Sequence, residues 1–420
     1  MRSDQQHALS RWLAVGAALL LLVLATTPVL AQAQEAETQE AETQEAKKEE
    51  EAKKEEAKKE EAETEEAETG FLERPIGDNW VLSPIILPIY SPETEFALAI
   101  GGVATFSTKP ENEKLPRSTM SLFAIPSSND SLGFNWDLSG FWLDDRIRLE
   151  VEVDYDDGTS NYWGVGYEPA REIGDDEDLT EFQRAAFELP LVLSFRVGKS
   201  LFLGLNFDLI DMDVEERSPT MQTSPHFLAL GDEIQSVGVG VNLTYDSRDD
   251  TLNAYSGRYF NAEATFYLDS LGSDQEFETY EADYRQYHQI KRAGRTFAWQ
   301  LFGQLAEGEV PWIRMPTVGS SSDLRGYTQG RFRDLAAAWG LVEYRHMTDK
   351  KLWKRGGRQG FAVWGGLGFI GKDFGDLSGH ELPNVGIGYR IEVQPRRSLR
   401  LDVGYGHDEV GFYLNFAEAF

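Results

Sequence analysis

The chain has 420 residues, with 71 Asp+Glu against 40 Lys+Arg and a net charge of −31. Such an acidic excess excludes nucleic acid as a partner, because nothing would neutralise its phosphates. The absence of cysteine excludes a disulfide framework, a thiolate nucleophile and a cysteine zinc site, while 39 glycines and 12% aromatics suit strands and tight turns.

Residues 1–33 read as an export signal. Arg2 and Arg11 precede or abut an apolar run of fourteen residues, Trp12 to Ala25, and "TTPVLAQAQ" offers small residues for cleavage after Ala31 or Ala33. A membrane anchor is the competing reading, but the run is short against the roughly 20 residues of a helical span and lacks a basic stop-transfer flank. Residues 34–70 form a low-complexity tail whose Glu35–Thr69 portion holds sixteen Glu and six Lys, a charge of −10. Glu49–Lys53, Glu50–Lys54 and Glu55–Lys59 sit at i,i+4 in the favoured order, so a solvated helix competes with a disordered spacer there. It contains nothing that could build a core, and following an export signal it is expected in the periplasm. Removing −10 for the tail and +1 for the signal from −31 leaves −22 on residues 70–420.

From Trp80 onward a period of two recurs. "RIRLEVEVDYD" puts Ile147, Leu149, Val151, Val153 and Tyr155 on one face and Arg148, Glu150, Glu152 and Asp154 on the other. "SLFLGLNFDL", "SVGVGVNLTY", "NVGIGYRIEVQ" and "SLRLDVGYG" repeat the pattern, which specifies strands. Sixteen segments begin near Trp80, Phe96, Arg117, Ser131, Arg146, Arg184, Ser200, Gln235, Gly257, Glu276, Arg295, Asp334, Gln359, Pro383, Ser398 and Val410. Several connections after even-numbered segments are tight (143–145, 198–199, 291–294, 395–397), and several after odd-numbered ones are long (156–183, 214–234, 307–333, 371–382). Strand length, parity and even number predict an all-β fold for residues 71–420: a transmembrane antiparallel β-barrel of about 16 strands. A soluble β-sandwich also alternates, but it would not carry rows of charge such as Arg390 with Glu392 and Arg400 with Asp402 on its inner face. The last segment ends the chain on an aromatic residue, with Phe412, Leu414 and Phe416 in step and Phe420 terminal.

The connection after the eleventh segment holds "SSSDLRGYTQGRFRD", Ser320 to Asp334. A glycine-flanked arginine in such a loop can fold back into a barrel lumen and pair with an inward carboxylate. Leu324, Arg325, Gly326 and Tyr327 resemble the Val-Arg-Gly-Phe/Tyr motif of the BamA/TamA-type outer-membrane family, the bacterial surface-antigen barrels. The turn Asp246, Arg248, Asp249 and Gly257 in "YDSRDDTLNAYSGRYF" is similar to that family's Asp-x-Arg-Asp turn.

The resemblance covers Trp80 to Phe420 and implies that Arg325 pairs with inward acids on later strands. The first maps onto Glu343. The second falls at Gly366, where this sequence has no acid, so a single ionic partner is expected, with Gly366 and Gly368 giving the loop room. Glu418 also stands two residues before Phe420, where the family has an apolar assembly signal. Members that insert or secrete proteins carry repeated soluble domains ahead of the barrel; here the Glu/Lys tail occupies that place. The resemblance implies an outer-membrane location, contact with lipid and lipopolysaccharide, and help in inserting or translocating proteins or other envelope components. A passive pore or envelope-structural barrel remains the alternative, and its acidic lumen would favour cations.

No catalytic residue, metal ligand set, cofactor or small-molecule substrate is expected. "GLGFIG" (Gly366–Gly371) matches GxGxxG but falls within a strand instead of at a strand-to-helix turn. "GDDEDLTE" (Gly174–Glu181) lacks EF-hand spacing. The six histidines are scattered, and no Ser/His/Asp order suggests a nucleophile.

Overall fold

The computed structural model describes residues 74–76, 79–91, 95–112, 115–174, 176–351, 357–394, 396–407 and 409–420. The export-signal and tail assignments lie outside these residues.

Among the described residues sixteen antiparallel strands close into a barrel. They are β1 Trp80–Ser91, β2 Glu95–Phe106, β3 Ser118–Pro126, β4 Leu132–Trp142, β5 Ile147–Asn161, β6 Glu181–Glu188 continued by Leu191–Arg196, and β7 Leu201–Glu216. After them come β8 Glu233–Asp246, β9 Gly257–Tyr267, β10 Phe277–Gln289, β11 Arg295–Gly308, β12 Ala336–Lys351 and β13 Arg358–Gly371. The last three are β14 Glu381–Gln394, β15 Arg397–Tyr405 and β16 Val410–Phe416. Each pairs with its chain neighbours, and Tyr90 on β1 opposite Leu414 on β16 closes the ring.

β6 is interrupted where Pro190 cannot donate to the ladder. The chain stays in the sheet there, because Leu189 N donates to Leu209 O (2.8 Å) and Glu152 N donates to Pro190 O (3.0 Å).

The two faces reverse the soluble arrangement. Leu203, Leu205, Val241, Leu301, Val385 and Ile387 are exposed on the outer face, whereas Asn206, Asp283, Glu343, Arg345, Arg390 and Asp402 are buried inside. An outward apolar band around a charged interior is what a bilayer demands of a closed sheet, and it removes the sandwich alternative. Among the described residues no helix is long and apolar enough to cross a membrane.

Tight turns gather at one end of the barrel, where Leu143, Asp144 and Asp145 take φ of 51°, 56° and 63° to reverse the chain between β4 and β5. Among the described residues the opposite, loop end carries four short α-helices: α1 Tyr167–Ile173, α2 Glu177–Thr180, α3 Pro219–Thr223 and α4 Pro225–Leu230. Tyr162, Phe182, Met221, Phe227 and Trp312 bury a small core among them, with Trp312 edge-on to Tyr162 at 5.0 Å.

Candidate functional site

The long connection between β11 and β12 folds into the lumen. A two-residue ladder, Thr317–Val318 against Phe332–Arg333, pinches its base. Leu324, Arg325 and Tyr327 at its tip are wholly buried. Gly326 has φ 123°, and a Cβ there would come within 2.8 Å of Gly406 N, so both the conformation and the close approach require glycine.

The tip is held by backbone as well as side chains. Gly326 N donates to Tyr413 Oη (2.9 Å), Asn384 Nδ2 donates to Arg325 O (2.9 Å), and Tyr327 Oη donates to Pro383 O (2.7 Å). Leu324 packs against Gly366 and Gly368 of β13, where added Cβ atoms would collide with it.

Arg325 stacks over the Trp364 ring, 3.6 Å from its centroid. It donates to Glu343 through Nη2 and to Asp402 Oδ2 through Nη1 at 2.9 Å. The expectation of one ionic partner, drawn from Gly366, is therefore corrected: the second acid is present, supplied by Asp402 of β15 instead of by β13. β13 contributes Trp364, whose ring replaces a charge with a π-face.

The ion pairs extend further. Arg345 Nε donates to Glu343 Oε1 (2.6 Å), while Arg390 and Arg400 reach Asp402 at 2.5 and 3.0 Å. Arg390 also holds Glu418 (2.9 Å). Arg325, Arg345, Arg390 and Arg400 thus share Glu343, Asp402 and Glu418, all nearly or wholly buried. The cluster ties together the loop, β12, β14, β15 and the chain terminus.

The terminal segment departs from a straight final strand. Phe412 is exposed on the outer face, but β16 ends at Phe416 and Ala417, with φ 65°, turns the chain inward. Phe420 is buried in the lumen beside Tyr287, and its carbonyl accepts from Arg345 Nη2 (2.7 Å). Phe420, expected within the terminal strand with Phe412, Leu414 and Phe416, therefore lies beyond it; Leu414 and Phe416 are half-buried at the seam.

That departure shortens the closing seam. Tyr90 opposite Leu414 is the ladder pair between β1 and β16 among the described residues, whereas β15 and β16 share the seven pairs from Leu399–Phe416 to Tyr405–Val410. Toward the turn end the ladder pairs of β1 among the described residues are those with β2 and, at Trp80–Leu82, with Arg74–Ile76.

The turn motif lies between β8 and β9. Asp246 accepts from Arg248 Nε (3.0 Å) and Arg148 Nη1 (3.4 Å). Asp249 accepts the backbone N–H groups of Tyr255 (2.9 Å) and Ser256 (3.1 Å), and Gly257 has φ 112°. Arg396 and Arg397, in and just after the β14–β15 turn, reach Asp249 and Asp250 at 2.8 and 3.1 Å, joining two turns far apart in the chain. Burial alone would raise the Asp249 carboxyl, but the hydrogen bonds from Arg396, Ser256 and Tyr255 outweigh it and hold the group below its ordinary value.

Among the described residues no group of three or more His, Asp or Glu is placed to hold a metal. What the arrangement can do is mechanical: it fixes a loop in a lumen beside a short seam.

Fold and site define an outer-membrane-type barrel with an arginine-anchored lumenal loop. The chain belongs to the Omp85 superfamily, whose domain matches residues 127–369, more than half of its length. Among solved structures it is similar to CdiB from Escherichia coli, with 13% identity and a TM-score of 0.52, covering 82% of this chain and 63% of that one. It is also similar to BamA from Haemophilus ducreyi lacking POTRA domains 1–3 (13%, 0.49, covering 79% and 69%). CdiB from Acinetobacter baumannii compares at 10% and 0.47, covering 81% of this chain and 59% of that one. At such identities the Escherichia coli barrel speaks to the shared fold alone. Comparison with curated proteins gives no match.

Proposed function

We propose that the chain is an outer-membrane barrel that assists insertion or translocation of envelope components by opening between β1 and β16, with the Arg325–Glu343–Asp402 brace holding its lumenal loop. The observation that carries this reading is the seam, where Tyr90–Leu414 stands against the seven pairs one strand earlier. A sheet opens where its ladder is shortest, because each lost pair leaves backbone groups unsatisfied in hydrocarbon. In this reading the partners are outer-membrane lipid, lipopolysaccharide and envelope proteins, and the tail of residues 34–70 extends into the periplasm.

A passive pore is the competing function. The docked loop weighs against it, since Leu324 and Tyr327 belong to a buried apolar cluster that fills part of the lumen. The cysteine-free background allows a clean test. Tyr90→Cys with Leu414→Cys should lock the seam under oxidation, abolish the activity that corrects a deletion strain's envelope defect, and restore it on reduction. A locked barrel that still corrects the defect would retire the proposal.

A further inference from the structure

From Pro84 to Tyr90 β1 is apolar on both faces, unlike the strands that line a hydrated lumen. Leu82, Ile86 and Tyr90 point outward and are exposed. The alternate residues Ile85, Leu87 and Ile89 point inward and, with Val103, Phe123 and Ile125, line a lumenal cavity of about 640 Å³. That size lies within the range of ~300–1,000 Å³ typical of ligand pockets. Asp137, Glu150 and Glu152 on β4 and β5 mark where the apolar strip gives way to a charged wall. Phe416 and Ala417 line the same cavity, so it reaches the gap left where β16 ends.

The seam-facing edge of β1 below Tyr90 is short of hydrogen-bond donors. Trp80 stands opposite Phe106, so Asn79 stands opposite Ser107 in the same register. Ser107 N donates to Asn79 O (3.3 Å), which directs the odd-numbered backbone groups of β1 toward β2. Phe96 O accepts from Ser128 N (2.8 Å), so the even-numbered groups of β2 face β3, in agreement. The even-numbered groups of β1 therefore face the seam. Two of them are Pro84 and Pro88, which have no N–H. With Leu82 covered by Arg74, the edge from Ser83 to Pro88 offers one outward donor, at Ile86.

A peptide strand adding to this edge would find almost nothing to accept from. A hydrocarbon chain needs no donors, and proline is the residue that leaves the fewest unsatisfied N–H groups at an edge facing lipid. We propose that the apolar strip behind the β1 edge takes up an acyl chain of a phospholipid from the surrounding bilayer, entering through the gap below Tyr90. The lipid, not a polypeptide strand, is then the component handled at this edge. This rests on the seam reading above for its functional meaning, though not for its occupancy.

The test uses single cysteines carrying a nitroxide in the full chain, reconstituted in phosphatidylcholine vesicles with and without acyl-chain doxyl lipid. Leu87→Cys should broaden with the doxyl lipid as the lipid-facing Ile86→Cys does, while Thr244→Cys, on the lumenal wall of β8, should not. Ile85→Cys serves if Leu87→Cys fails to fold. A Leu87 probe that behaves like Thr244, or that is relaxed instead by a water-soluble nickel chelate, would overturn the inference. Broadening at Leu87 by a spin-labelled amphipathic strand peptide, without broadening by lipid, would assign the groove to a peptide and overturn it as well. A silent Leu87 alongside a seam lock that abolishes activity retires the lipid inference alone; broadening alongside a harmless lock retires the seam reading alone.

Discussion

Arg325→Ala removes a guanidinium that bonds two buried carboxylates and stacks on Trp364. Breaking a buried pair costs about 3–5 kcal/mol when it strands the remaining charge. Here neither acid is stranded, because Glu343 keeps Arg345 at 2.6 Å and Asp402 keeps Arg390 and Arg400 at 2.5 and 3.0 Å. The cluster passes from four cations and three anions to three of each, so the loss falls at the low end, about 3 kcal/mol. Asp402→Ala instead takes the shared acceptor from Arg325, Arg390 and Arg400 at once. It leaves four cations on two anions and should cost about 5 kcal/mol. Urea unfolding of the vesicle-embedded barrel gives the order of the two. Trypsin reports the loop directly, since Arg331 and Arg333 are buried while the tip is docked and become cleavable when it is not. An Arg325→Ala barrel with native stability and a protected loop, or one less stable than Asp402→Ala, would refute the reasoning.

Gly404→Ala should give the same tryptic exposure with the strands intact, because its Cβ would collide with Arg325 O; an unaltered digest would show that the loop tolerates displacement. For Asp249 the folded-state carboxyl lies below its ordinary value near 3.8, so its stabilising effect is full above that pH and is lost as pH falls through and beneath it. Asp249→Asn should therefore flatten the acid limb of a pH–stability curve measured by heat-modifiability on gels. In planar bilayers the native barrel should conduct little, and Arg325→Ala should raise the conductance and favour cations; a large, steady native conductance would support a passive pore instead.

Much of the fold was legible because a closed sheet writes itself as a period of two. The starts of β1 and β11, and the lumenal side of Glu343, follow from alternation and register. β6 begins three residues before the pattern suggested, since Glu181–Gln183 follow directly on α2. Asp402 escaped because it is 77 residues from Arg325 and bonds it across three strands of closure, a relation that no local spacing encodes. Its presence on the charged face beside Arg400 was visible, but not its partner. The inward turn of the terminus was hidden for a different reason: Ala417 adopts φ 65° with none of the glycine or asparagine that normally announces it. The pairing of Glu418 with Arg390 supplies the cause, drawing the last four residues toward a cationic cluster and away from the sheet.

That pairing makes the loop and the seam one device. Glu418 and the Phe420 carbonyl are bound by Arg390 and Arg345, and these arginines also bond the acids that anchor Arg325. If residues 417–420 were free to continue β16, the antiparallel register would set them opposite Leu87, Ile86, Ile85 and Pro84 and lengthen the seam by a turn-end ladder. Proline at 84 and 88 leaves that extended ladder short of donors on the β1 side, whereas the cluster offers the terminus charge-assisted bonds in a buried setting. Competition between the two destinations favours the lumen. Glu418→Gln should shift it toward the seam, raising cross-linking between Ile85→Cys and Ala419→Cys, which that register sets opposite each other, and loosening the loop to trypsin in the same variant. If the terminus stays inside and the loop stays protected in Glu418→Gln, the two are held independently and the coupling does not exist.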